Sequence, residues 1–317
     1  MRLLLFGAVL ALALHAVVGG LLSALVALAW RGFGDRLAAS SSQSLLALRL
    51  LPAAGAGLAV FGMFLPAFLV HEPAQAEEQA GALLLGAAGT GLLLVGTGAL
   101  RGIRALLAAY ALGRRWRAAG RPADLGAGLP SYRIEDPFPV ACVIGLRRHR
   151  LYVANSLVAA LDREELRAAL AHERRHAERR DNLKALLMRS APDALGRFPA
   201  GLSIERAWSR ACEREVDLES AGGSRERAHA LASALVKVAR AAPEARPGLL
   251  AAGLLDEAPV AERVRHLLAP SPRPQGGGLL ALLLAACAAA ALIATVMGLT
   301  ALDRLHRAVE VAVSLMG

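Results

Sequence analysis

The chain has 317 residues, 56% of them hydrophobic, with a formal net charge of +10; that is too apolar for an ordinary soluble domain and long enough for one or two cores. Its three cysteines, Cys142, Cys212 and Cys287, are too few and too widely spaced for a disulfide framework, which suits a reducing compartment. The cations are almost all arginine, Lys184 and Lys237 excepted, and lie scattered among acids with no zinc-finger or RNA-binding signature, so no nucleic-acid partner is expected.

In chain order, the first apolar block runs from Leu3 to about Trp30, too long for a cleaved signal segment. A second runs from about Leu51 to Val70, a third from Ala82 to Leu100 and a fourth from Leu279 to Leu302. Each is long enough to cross about 30 Å of hydrocarbon, so the lipid bilayer is an expected partner. The loop after the first block holds Arg31, Arg36 and Arg49, the loop after the second holds Glu72, Glu77 and Glu78, and Arg101, Arg104, Arg114, Arg115 and Arg117 follow the third. Positive charge stays inside, which places the N-terminus outside and the large polar middle in the cytoplasm. The expected fold is a mostly α membrane protein. Residues 1–112 hold three transmembrane helices (3–30, 51–70 and 82–100), 113–278 form an α+β cytoplasmic domain, 279–302 a fourth transmembrane helix and 303–317 a short external tail.

Within the middle domain, residues 139–145 and 150–154 read as a β-hairpin, and an open strand beside a protease site can hold substrate by strand addition. A helix starts at Asp162, an N-cap with Glu165 three residues on in a capping-box arrangement, and is expected to reach about Met188. Pro192, Gly196, Pro199 and Gly201 then make a turn. A second helix spans about Ile204 to Ala221 and stops at Gly222-Gly223.

The first of these helices carries His172-Glu173-Arg174-Arg175-His176. Residues i and i+4 share a face, so His172 and His176 can bind one metal ion, while Glu173 is turned aside and can serve as general base. A catalytic site needs a third ligand. Glu213 is the choice, from Cys212-Glu213-Arg214-Glu215-Val216-Asp217, with Asp217 accepting a hydrogen bond from a ligand histidine. Glu215 falls off that face and is expected to be solvated, and Cys212 to be a small buried thiol. Two His and one Glu favour Zn²⁺, one per chain, with a protein or peptide as substrate. The competing reading is an Arg/Glu-rich solvated helix that contains two histidines. His15, His71, His149, His229, His266 and His306 lack ligand spacing and read as structural or solvated.

The run Leu170-Ala171-His172-Glu173-Arg174-Arg175-His176-Ala177-Glu178-Arg179-Arg180-Asp181-Asn182-Leu183 resembles the zinc helix of BlaR/MecR-type membrane peptidases, family M-56. The later E-x-x-x-D beside Cys212 and the strand region from Pro137 to Val153 are similar too. The resemblance implies a gluzincin-like, membrane-bound zinc endopeptidase of the inner (cytoplasmic) membrane, possible work in regulatory proteolysis, and a structural or supporting role for Asp181. Pro259 to Leu268 looks like a C-terminal element of the HtpX-type quality-control proteases, the nearest alternative; a non-enzymatic membrane scaffold with a structural zinc is the other. Arg174 stands where the family usually has an apolar residue, Val216 replaces a small alanine, and no penicillin-binding sensor domain follows residue 302, so β-lactam sensing is not implied.

Overall fold

A computed structural model describes residues 2–66, 68, 81–241 and 259–269. The fourth apolar block, the Pro/Gly linker before it, the tail, Cys287 and the acidic loop after the second block lie outside the described residues.

Among the described residues, three helices are long and apolar enough to cross a membrane. Helix α1 is Arg2–Ala38, with a kink at Phe33. Helix α2 is Ser42–Gly57 and continues as a π-helical stretch, Leu58–Phe64. Helix α3 is Ala82–Ala119. A side chain at Gly91 would put its Cβ 2.1 Å from the Leu12 carbonyl oxygen, so the close crossing of α1 and α3 requires glycine there.

The remainder is a small α+β domain. Strands β1 (Arg121–Pro122), β2 (Ser131–Ile134), β3 (Ala141–Ile144) and β4 (Arg150–Ala154) form a sheet in the order β1-β2-β4-β3. Strands β3 and β4 are the expected antiparallel hairpin, and β2 runs parallel to β4. Short α4 (Asn155–Ala160) leads to α5 (Arg163–Arg179) and α6 (Asp181–Ser190), then α7 (Pro199–Ala221), α8 (Arg225–Ala241) and α9 (Val260–Leu268). One core joins the sheet, through Leu151, Tyr152 and Val153, to Ala169 and Leu170 of α5 and to Leu231 and Leu235 of α8. The capping box at Asp162 is present in both directions: Asp162 Oδ1 accepts from Glu165 N, and Glu165 Oε2 accepts from Asp162 N, at 2.9 Å each.

Several expectations shift. The helix expected to run on to Met188 breaks at Arg180, which takes a left-handed conformation (φ 56°) and starts α6 at once. Helix α7 begins at Pro199, inside the stretch expected as a turn, because proline suits a first helical position whose N–H needs no partner. The arginines expected in a loop are helical, Arg31 and Arg36 in α1 and Arg49 in α2. Helix α2 starts at Ser42 rather than near Leu51, because residues 42–50 find partners in the domain: Leu45 packs with Met188 and Trp208, and Leu48 with Leu195 and Ile204.

Candidate metal centre

The C-terminal halves of two helices build this site. Helix α5 brings His172, Glu173 and His176, and α7 crosses it with Glu213 and Asp217. One ligand atom from each of His172, His176 and Glu213 lies within 4.8 Å of the others. The two Nε2 atoms are 3.2 Å apart, and the Glu213 oxygens stand 3.4 Å from each of them. A tetrahedral ion with bonds of ~2.0–2.1 Å has ligand-to-ligand edges of about 3.3 Å, close to the spacing of the two nitrogens and of each nitrogen from its own nearer Glu213 oxygen.

Both rings are held from behind. His176 Nδ1 donates to Asp181 Oδ2 at 2.9 Å. His172 Nδ1 lies 3.0 Å from Asp217 Oδ1, in ion-pair range but off the hydrogen-bond direction. With each Nδ1 committed to a carboxylate, the facing Nε2 atoms must be separated by protons or by a metal cation. The break at Arg180 is what swings Asp181 back under His176, and Lys184 Nζ fixes the other Asp181 oxygen at 2.9 Å.

Burial and charge oppose each other here. Burial disfavours the cation on His172, yet Asp217 and Glu213 outweigh it and raise its pKa. The same contest raises His176 well above the ordinary value, with Glu213 and Asp181 prevailing over burial. Burial would push Glu213 up, but Arg263 and His176 hold it far below the carboxylate range. Glu173 goes the other way, raised mainly by burial. Its Oε1 makes no hydrogen bond, and neither does Glu213 Oε2 or Arg263 Nη1. Buried polar atoms without hydrogen bonds are costly; the two carboxylate oxygens suit a metal ion and a water bound to it.

Sequence reasoning missed Arg263. It enters from α9, is 1% exposed, and forks onto Asp217 through Nε (2.9 Å) and Nη2 (2.7 Å), with Nη2 also 3.1 Å from Glu213 Oε2. A lone arginine in an Arg-rich chain gives no signal of its own. Glu215, expected in solvent, instead accepts from Ser42 N (2.7 Å) and Oγ (2.6 Å) and from Arg179 Nη2 (2.5 Å), tying the helix pair to the start of α2. Cys212 is buried, as read, and burial raises its thiol pKa.

Beside the site runs the open edge of the sheet. Ala154 N donates to Val140 O and Leu151 N to Pro130 O, so Cys142 and Ile144 turn their backbone groups to β4 while Ala141, Val143 and Gly145 turn theirs outward. Asn182 Nδ2 already donates to Val143 O (2.9 Å) and Gly145 O (3.3 Å).

Residues 117–271 match the family model described as Peptidase family M48, whose peptidases are typically zinc-dependent and often membrane-bound. The matched stretch holds the sheet and all five residues of the centre, and it supports a metallopeptidase. The BlaR/MecR-type likeness rests on the quoted motifs alone. No curated protein and no solved structure matches the chain.

Proposed function

We infer that the chain is a membrane-bound, zinc-dependent endopeptidase whose domain faces the cytoplasm. The observation that carries this reading is the convergence of His172 Nε2, His176 Nε2 and Glu213 at tetrahedral spacing beside a buried, unpartnered Glu173. In it, His172, His176 and Glu213 hold the zinc, which when bound supplies a Lewis acid and an acidified water. Glu173 accepts a proton at its free Oε1 and delivers it to the leaving nitrogen, and its burial brings its pKa nearer to neutral, where such a shuttle works best. Asp217 and Asp181 keep the two rings oriented. A substrate strand adds to the outward edge of β3 through the N–H groups of Ala141 and Val143, since Asn182 occupies the Val143 and Gly145 carbonyls.

The Arg179-Arg180-Asp181 run supports a BlaR/MecR-type regulatory peptidase. The α9 element, which resembles that of HtpX-type proteases and inserts Arg263 into the site, favours a quality-control role as the second reading.

The test is metal content and cleavage together. The detergent-purified protein is expected to hold about one zinc, His176→Ala and Glu213→Ala to lose it, and Glu173→Gln to keep it without cutting unfolded protein substrates. Full zinc retention in Glu213→Ala would remove the third ligand, and cleavage by Glu173→Gln would remove the base.

A further inference from the structure

Three basic side chains of the long helices, one from each, reach the same place. His15 of α1 donates from Nε2 to Pro192 O at 2.8 Å. Arg49 of α2 gives Nη2 to Met188 O (3.2 Å), Nη1 to both Asp193 oxygens (3.1 and 2.8 Å) and Nε to Glu205 (2.8 Å). Arg101 of α3 donates to Ala191 O at 2.9 Å. Together they satisfy the carbonyls at the C-terminal end of α6 and in the irregular stretch that follows. Non-helical backbone survives at membrane depth only where protein groups satisfy it in this way, and ionisable residues inside spans face inward and pair.

The contact lies partway along the helices, not at their ends. A Cβ on Gly98 would stand 2.8 Å from Ser190 O and 3.0 Å from Ala191 O, so Gly98 of α3 is level with this stretch. From Ala82, where α3 starts, to Gly98 is sixteen residues, or about 24 Å at 1.5 Å each. Hydrocarbon is ~30 Å thick, so a bilayer crossed by α3 must reach below Gly98. The exposed face of α3 stays apolar at Leu100 and Ile103, and Arg104 follows. On the domain, Phe198 (52% exposed) and Leu202 (47% exposed) are uncovered on the same stretch, and Val17, Leu21, Leu25 and Leu28 are exposed on α1.

We propose that the 191–202 stretch is inserted into the bilayer, with Phe198 and Leu202 facing lipid tails and the exposed Arg197 extending its charged end toward the headgroups. The peptidase domain is then sunk into the membrane rather than hung beneath it. With the boundary at Arg104, six residues beyond Gly98, the inserted stretch lies about 9 Å deep. Helix α7 descends twelve residues from Gly201 to Glu213, about 18 Å, so the metal centre falls roughly 10 Å beyond the hydrocarbon, in the headgroup layer. Its substrates are polypeptides cut close to where they leave the bilayer, a statement that rests on the peptidase reading above.

Spin labels on Phe198→Cys and Leu202→Cys test the insertion in nanodiscs, with Arg167→Cys as the control on the exposed end of α5 and Cys287 replaced by serine. Cys142 and Cys212 are buried and can stay. The expected result is relaxation by oxygen and not by a water-soluble nickel chelate at 198 and 202, and the reverse at 167. Nickel access at 198 and 202 overturns the insertion. Access to neither reagent also overturns it, because protein rather than lipid then covers the face. For the substrate class, single-span substrates carry one cleavable sequence at increasing distance from the span. Glu173-dependent cutting should fade once that sequence is more than about ten residues out, where even compact chain clears the headgroups. Cutting that is indifferent to distance removes the juxtamembrane substrate, while absence of Glu173-dependent cutting at every distance sinks the peptidase reading and leaves the spin-label result standing.

Discussion

Two arginines are the largest fully buried side chains in the described structure, and they do opposite things. Arg49, at 0% exposure, engages all three of its nitrogens with Asp193, Glu205 and Met188 O. Arg263, at 1%, engages two and leaves Nη1 without a hydrogen bond, in a cluster where Glu173 Oε1 and Glu213 Oε2 also lack one. A buried charge with every bond made locks two elements together, here a long helix and the α6–α7 junction. A buried charge left short of partners marks a place completed by something from outside the chain. The two buried arginines therefore mark two different polar clusters, a joint between long helix and domain and the candidate metal centre.

The comparison breaks most sharply on Glu173. Glu173→Gln should lower peptidase activity about 10²–10⁴-fold, the usual worth of a positioned base, with zinc content unchanged; a drop in zinc would make Glu173 a ligand instead. Next, Arg49→Met leaves buried Asp193 unpaired and should cost about 3–5 kcal/mol of stability, seen as an earlier unfolding transition in detergent, while the folded fraction binds zinc normally. Weakened zinc binding there would merge the two clusters into one. Asp217→Asn should reduce zinc affinity about 10–100-fold and, because buried Arg263 then loses its carboxylate partner, bring unfolding of the metal-free protein forward as well.

Metal loading also carries a pH signature. The carboxylates raise both His172 and His176, so protons compete with zinc for the two rings more strongly than they would for free imidazoles. Apparent affinity should fall as pH drops, about tenfold per unit for each proton displaced, and calorimetry in buffers of different ionisation enthalpy should detect their release. Equal affinity at pH 6 and 8 would contradict this. The smallest effect lies far from the centre, at Glu165. Burial alone would raise its pKa, but Lys237, Ser233 and the Asp162 N–H together lower it. A carboxyl lowered on folding contributes stability above its unfolded value of ~4.3 and loses it as pH falls through the folded value. The Tm gap between the wild type and Glu165→Gln should therefore close on acidification from pH 7 to 3; a constant gap would mean the side chain acts by packing alone.

Much of this was legible in short stretches of sequence. The capping box at Asp162 and Glu165, the i, i+4 pairing of His172 with His176 and of Glu213 with Asp217, the glycine stop at Gly222 and the β3–β4 hairpin all depend on neighbours within one or two turns. Local geometry therefore prescribes them. The long helices were legible as well, because an apolar run of that length has few other uses, although their lower ends were not: residues 42–50 are polar enough to read as loop and become helical only by packing on α6 and α7.

What tertiary structure decided is where the long-range charges go. Nothing in an Arg-rich chain distinguishes Arg49, Arg101 and Arg263 from arginines in solvent, because an arginine's role is set by what desolvates it, and that comes from elements 46 or more residues away. Asp181 could be read only as part of a run until the left-handed turn at Arg180 put it beneath His176. Glu215 looked solvated from its helix face until Ser42 and Arg179 closed over it. Sequence by itself determined which side chains share a face; only the fold decided which of those faces meet, since periodicity is a property of one element and burial is a property of pairs.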